Sequence, residues 1–136
     1  MQICSIVLLF VLSFFHSAAG YKAEGTASFY ADHMQGRATA SGERYDKSLL
    51  TAAHPTLPFG TRLLVRNLGN GSSVVVRVND RKARHRHNII DLSRAAAEAI
   101  NMIRDGKATV KLEEVKNDGA EQQQAPTAVS ERSASH

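Results

Sequence analysis

Along residues 21–115 the apolar residues fall in short runs, and that pattern restricts the body of the chain to a sheet-based fold. Residues 25–30 are a small-residue stretch ending in aromatics, residues 61–66 and 73–79 are rich in Val and Leu, and residues 109–115 alternate Val, Leu and Val with charged or polar neighbours. A period of two puts one face of a strand in a core and the other in water. Asn67-Leu68-Gly69-Asn70-Gly71 lies between the second and third runs and supplies Asn and Gly, which tolerate positive φ. Residues 63–65 are therefore expected to pair antiparallel with residues 74–76 in a hairpin. One segment reads differently: Ser93 takes the N-cap position, and residues 94–102 hold Ala95, Ala96, Ala97, Ala99 and Ile100, which favour helix and leave a narrow apolar face. These signals predict a mostly β barrel with one or two short helices.

The 136 residues are enough for one domain, and the two ends do not belong to it. Residues 1–20 carry no Lys, Arg, Asp or Glu, and residues 3–15 are nearly continuous Ile, Val, Leu and Phe before Ser17-Ala18-Ala19-Gly20. That run is shorter than the ~20 residues a membrane crossing needs and ends in small residues that a signal peptidase accepts. A signal peptide over 1–20 is expected, cut after Ala19 or Gly20, with an uncleaved anchor as the alternative; both put the body outside the cytoplasm. Cys4, the single cysteine, lies inside the apolar run and is badly placed to become a lipid-modified N-terminus, so a soluble mature protein is expected. Once the leader is removed no cysteine remains for a disulfide framework or a Cys-ligated metal, and the domain over 21–115 must be held by its own core. Residues 116–136 are Gln, Ser, Ala, Asn and Glu with few large apolar side chains, which predicts a disordered polar tail.

Charge narrows the partners. The chain has 17 Lys plus Arg against 13 Asp plus Glu, a formal net charge of +4. The tail holds Lys116 and Arg132 against Asp118, Glu121 and Glu131, so the body carries one positive charge more than the whole. A basic exported body meets polyanions readily. It has no Lys/Arg-lined amphipathic helix for a membrane surface and no helix-turn-helix or zinc-finger spacing, so no nucleic acid and no stable membrane insertion are expected, and an extracellular polyanion is favoured.

Three polar segments are left unexplained by secondary structure. Residues 36–46 are punctuated by glycine and hold Glu43 and Asp46; residues 51–60 place His54 before a proline-stiffened turn; residues 76–81 run from Val into Asn79-Asp80-Arg81. Glu43, Asp46, His54 and Asp80 are the acid/base groups that a glycosidic or acyl reaction needs if the fold gathers them. Each also has a plain structural reading: Glu43 and Asp46 could cap a turn, His54 could be a satisfied histidine beside Pro55, and Asp80 could pair with Arg81.

At these residues the chain resembles the rare lipoprotein A (RlpA) family of double-psi β-barrel proteins. The resemblance rests on Gly25-Thr26-Ala27-Ser28-Phe29-Tyr30, the Thr39-Ala40-Ser41-Gly42-Glu43 core, Leu50-Thr51-Ala52-Ala53-His54, Leu57-Pro58-Phe59-Gly60-Thr61, Val76-Arg77-Val78-Asn79-Asp80-Arg81 and Ile89-Ile90-Asp91-Leu92-Ser93-Arg94-Ala95-Ala96. It implies a single six-stranded double-psi barrel and an exported lytic transglycosylase, which cuts the MurNAc to GlcNAc bond of peptidoglycan and leaves an anhydro-muramyl end. It also places the family's active-site positions on Glu43, His54 and Asp80, with Asp46 close by. No cofactor is implied, the partners are peptidoglycan glycan strands, and a monomer is expected. Asp80 follows a strand that should anchor it and is taken as acid/base; Glu43 is the rival, with the two roles interchangeable at this stage. His54 would orient a carboxyl or bond the sugar. Arg37, Thr39, Ser41 and Arg81 are candidate sugar or lactyl-carboxylate contacts by polarity and placement. Asp91 is expected to serve the helix N-terminus.

The chain departs from the family pattern after Asp80-Arg81, where relatives commonly carry Gly-Pro and an apolar residue and this loop reads Lys82-Ala83-Arg84-His85-Arg86-His87-Asn88. The basic loop is either a stronger grip on anionic wall polymer or a solvated charge run. His85 and His87 form an H-x-H pair, a weak metal signal, and no metal is expected. Expansin- and barwin-type double-psi barrels, which the domain resembles in outline, supply the alternative function, a non-hydrolytic wall-polysaccharide binder.

Overall fold

A computed structural model describes residues 20–116, so the predicted leader and tail lie, apart from Gly20 and Lys116 at their edges, outside the described residues. Six strands, β1 (Lys22–Phe29), β2 (Thr51–Ala53), β3 (Arg62–Asn67), β4 (Ser73–Asp80), β5 (Asn88–Leu92) and β6 (Ala108–Glu114), close into a barrel in the order β1-β5-β2-β4-β3-β6. The β1·β5 and β2·β4 pairs are parallel and the others antiparallel. Among the described residues one helix, α1 (Arg94–Ala99), and one short 3-10 turn at Asp32–Met34 accompany the strands.

The hairpin forms where its turn residues put it. Leu63 faces Val76, Leu64 faces Val75 and Val65 faces Val74, while Gly71 takes a φ of 79° at the tip. Alternate residues then enter the barrel: Leu63, Val65, Val76, Val78, Val110 and Leu112 are buried together. Each such side chain contributes roughly 1.5–3 kcal/mol on leaving water, which is what holds a barrel with no disulfide. Ala96, Ala97 and Ile100 come from α1 and its C-terminal edge, and Met102 follows; together they pack into the same core. Asn67 ties hairpin to helix, its Nδ2 donating to Ile100 O across 2.9 Å.

Ser93 caps α1 as expected, accepting from Ala96 N–H while its hydroxyl donates to Leu49 O. The helix stops at Ala99, short of the expected Met102, because Asn101 adopts a φ of 56°. Two strands were not legible from periodicity. Thr51–Ala53 is too short and too small-chained to alternate visibly, and all three residues are buried; Asn88–Leu92 emerges directly from the basic loop. Both carry parallel pairings, so both are central to barrel closure.

Candidate active site

β4 delivers Asn79 and Asp80 to one end of the barrel, and β1 delivers Tyr30 just past its last residue. The segment 36–45 folds over them as a small hairpin, pinned by the Ala38–Arg44 bridge and by Tyr45 N–H donating to Arg37 O across 2.7 Å. Gly36 and Gly42 turn it, at φ of 86° and 98°. Thr39 Oγ1 donates to Glu43 O across 2.6 Å and lies 3.0 Å from Ser41 Oγ, so these two hydroxyls brace the hairpin tip. Ser41 N–H donates to Asn79 O, which seats the tip on β4.

The Asp80 carboxylate is met from three sides. Tyr30 Oη donates to Oδ2 across 2.6 Å, and the backbone N–H groups of Ala40 and Arg81 donate to Oδ1, each across 2.8 Å. Burial, then the bond to Asp80, pushes the Tyr30 phenol well above its usual pKa, so it stays a donor. Its ring stacks on Tyr45 with centroids 4.3 Å apart and planes 8° from parallel. Tyr45 is itself buried, and its oxygen accepts from Arg94 N–H. Arg37, Thr39 and Asp80 share a cavity of about 140 Å³ with Tyr30 and Tyr45.

Glu43 sits on the other flank of the hairpin tip. Asn79 Nδ2 donates to its Oε1 across 2.8 Å and Arg77 pairs with its Oε2 at 3.0 Å. The Asn79 hydrogen bond first, and Arg77 second, hold its carboxyl below the usual glutamate range. The two carboxylates thus have different surroundings: Asp80 faces a phenol and backbone amides, whereas Glu43 is a fixed anion opened to solvent.

Residues 22–112 match the family model described as lytic transglycolase. The chain belongs to that family. It is 45% identical over 100 residues to the endolytic peptidoglycan transglycosylase RlpA of Neisseria meningitidis serogroup B, covering 74% of this chain and 42% of the relative. It is 48% identical over 98 residues to the protein of that name from Pseudomonas aeruginosa, covering 72% and 29%. The RlpA resemblance is therefore borne out, while the chain spans less than half the length of these curated relatives. Among solved structures, the Streptomyces papain inhibitor superposes with a TM-score of 0.59 at 26% identity, covering 73% of this chain and 98% of that one. A Clavibacter michiganensis expansin gives 0.57 at 21%, covering 71% and 52%, a likeness of fold alone. The double-psi barrel architecture agrees with both.

Within this lytic transglycolase domain the expected site residues divide. Asp80, Glu43, Arg37, Thr39 and Ser41 come together around the 36–45 hairpin. The His54 ring does not join them. It is 3% exposed, its Nδ1 accepts from Thr56 and Leu57 N–H, each across 3.1 Å, and its Nε2 bonds Tyr21 Oη at 3.1 Å. Two donors on Nδ1 put the proton on Nε2, and burial, then Arg81, lowers its pKa to about 4. His54 reaches Asp80 through the main chain, its N–H donating to Asp80 O across 3.1 Å. Arg81 lays its guanidinium 4.2 Å from the Phe59 ring centroid and donates to His54 O. Asp46 caps its own turn, accepting from Ser48 N–H and Oγ, which lowers its pKa and leaves it apart from Asp80. Asp91 does not serve the helix N-terminus: it lies in β5, where Oδ1 accepts from Ser28 Oγ.

Sequence reasoning missed Tyr30, Asn79 and Arg77 as site residues. Tyr30 was visible only as an aromatic strand end, and the other two only as strand residues beside a carboxylate. Asn79 and Arg77 act through the hairpin folding back over β4, and Tyr30 through the approach of the end of β1 to Asp80, each a contact between residues more than thirty positions apart.

Proposed function

We propose that this domain is an exported lytic transglycosylase that cleaves the MurNAc to GlcNAc bond of peptidoglycan, with Asp80 as acid and then base. The observation that carries the reading is the pairing of one carboxylate positioned by a phenol and backbone amides with a second carboxylate held as an anion across the same hairpin. Protonated Asp80 gives its proton to the glycosidic oxygen as the bond to the muramyl anomeric carbon breaks. Positive charge develops on that carbon and its ring oxygen, and Glu43, kept ionised by Asn79 and Arg77, supports it. The muramyl hydroxymethyl oxygen then bonds to the anomeric carbon, and its proton returns to Asp80, so no water is consumed. Tyr30 keeps its proton throughout and fixes the Asp80 carboxyl in place. His54, neutral and buried, orders the turn through Thr56 and Leu57 and so positions the strand end that bears Asp80. Arg37 and Arg81 offer charge-assisted donors to the sugar's substituents. The apolar, charge-free residues 3–15 and the small residues after them support export by a signal peptide.

Mass spectrometry of purified peptidoglycan after incubation with the protein, beside Asp80→Asn and Glu43→Gln, tests the reading. Anhydro-muramyl products that vanish in Asp80→Asn are expected. Reducing ends would show hydrolysis instead, and wall binding without soluble product would leave an expansin-like binder.

A further inference from the structure

The chemistry at Asp80 makes no use of the basic loop between β4 and β5, yet the loop is fixed to the barrel. Thr26 N–H donates to His87 O across 2.8 Å. At Gly25 beside it, a Cβ would lie 2.8 Å from Ile89 Cγ2 and 3.0 Å from His87 O, so the end of the loop rests directly on β1. Inside the loop, His85 Nδ1 accepts from His87 N–H across 3.1 Å and from Asn88 N–H across 3.0 Å. Lys82 Nζ donates to Ala83 O across 3.0 Å and to Asn88 O across 3.1 Å. A charge run that only solvates a surface needs none of these bonds, which take freedom from long side chains.

Held in this way, the loop walls an open groove of about 700 Å³, which Lys107, just ahead of β6, also lines. Lys82, Arg84 and Lys107 stand there against a single carboxylate, Asp91, whose Oδ1 already accepts from Ser28 Oγ. The donors are arranged as well as charged. Two amide hydrogens on His85 Nδ1 put the ring proton on Nε2, which takes no part in holding the loop and is left to donate. Lys82 keeps one of its three ammonium hydrogens, and Arg84 and Lys107 are exposed and lie outside the bonds that hold the loop. None of the residues lining this groove lines the cavity at Asp80, so the two are separate sites.

We infer that this groove is a second binding site, for phosphate groups carried along a polymer, and that it anchors the domain whether or not the Asp80 cavity is filled; the inference does not depend on the lytic reading. The donor set favours phosphate over carboxylate. A carboxylate holds its oxygens in one plane, where a single guanidinium satisfies them, whereas a tetrahedral phosphate spreads its oxygens and takes donors from the loop and from Lys107 together. The shape favours a chain over a bilayer, because headgroup phosphates lie in a plane and a recess behind a raised loop does not meet a plane. Arg86, exposed on the same loop and outside the groove, extends the row of cations, which suits repeated phosphates better than one small anion. The export proposed above puts that polymer outside the cytoplasm.

The test titrates the full chain by calorimetry with a glycerol-phosphate polymer, and beside it with polyglutamate of equal charge and with phosphatidylglycerol vesicles. The variant is Arg84→Gln with Lys107→Gln. The control is Arg66→Gln with Lys111→Gln, an exposed pair facing each other across β3 and β6, which removes the same charge elsewhere. Affinity for the phosphate polymer is expected to fall about five- to twentyfold in the variant and less than about twofold in the control. No binding by the wild type overturns the site, and equal losses in variant and control do the same by reducing the effect to net charge. Polyglutamate bound as tightly as the phosphate polymer overturns the phosphate assignment, and vesicles bound as tightly, counted per phosphate, overturn the polymer. Cleavage of phosphate-free peptidoglycan is expected to be the same in variant and wild type. A loss of cleavage in step with the loss of binding would merge the groove with the Asp80 site and overturn their separation. A wild type that binds the polymer through the groove and cuts no peptidoglycan would sink the lytic reading and support this one.

Discussion

Tyr30 donates its phenolic hydrogen to Asp80 Oδ2 across 2.6 Å from a ring stacked face to face on Tyr45. The stacking fixes the phenol before any sugar arrives, so the Asp80 carboxyl does not have to find its orientation during the reaction. Tyr30→Phe keeps the stack and removes only the donor. Cleavage of peptidoglycan is expected to drop about tenfold or more, with a stability loss of roughly 1–3 kcal/mol from leaving a part-buried carboxyl oxygen without its donor. Product release rates and urea midpoints on the same preparation check both.

Glu43 is kept anionic by Asn79 first and Arg77 second, and that ordering sets the acidic side of the activity profile. A group whose pKa is lowered in the folded protein stays ionised to lower pH, so wild-type activity should persist below the ordinary glutamate range before its anion is lost. Asn79→Ala removes the larger influence and is expected to move the acidic limb to higher pH, with Arg77→Gln moving it less. Unmoved limbs in both variants would show that Glu43 does not support the reaction as an anion.

His54 predicts a stability effect and not a proton-transfer one. Its pKa in the folded protein, about 4, lies below its ordinary value of 6.5, so the unfolded chain takes up the proton first as pH falls. Stability contributed by the neutral ring is complete above pH 6.5 and is lost as pH falls toward 4, by as much as ~3 kcal/mol. His54→Asn offers an acceptor to Thr56 and Leu57 N–H without titrating. Denaturant midpoints at pH 7.5 and pH 5 should therefore diverge in the wild type and stay closer together in the variant.

The parts of the domain legible in the sequence are those whose physics is local. The 67–71 turn, the alternation along β6 and the Ser93 cap each declare themselves within a few residues, and each is found in place. The Thr51–Ala53 strand is not local: its small side chains show no period, and it is a strand because β4 and β5 flank it. The site divides in the same way. Asp80 and Glu43 are recognisable as carboxylates in polar loops, but the phenol that positions one and the amide that ionises the other come from β1 and β4. His54 looks like a catalytic group in sequence because nothing local reveals that Tyr21, thirty-three positions earlier, occupies its outer nitrogen.

Gly25 gives the most direct handle on the basic loop. The Cβ of Gly25→Ala would meet Ile89 Cγ2, which branches next to the main chain, and His87 O, which is main chain, so neither neighbour can swing aside. Overpacking of this kind costs roughly 1–3 kcal/mol, and for a domain of this size each kcal/mol lowers Tm by about 4–8 °C. The strain also falls on the Thr26 N–H bond to His87 O, so amide exchange at Thr26 should accelerate more than exchange in the β3–β4 hairpin. Gly69→Ala is the contrast: its Cβ would meet only Asn67 Oδ1, at 3.3 Å, and a smaller loss is expected, about 1 kcal/mol or less. Equal Tm values for the two variants would mean that the 82–88 loop is not held against β1.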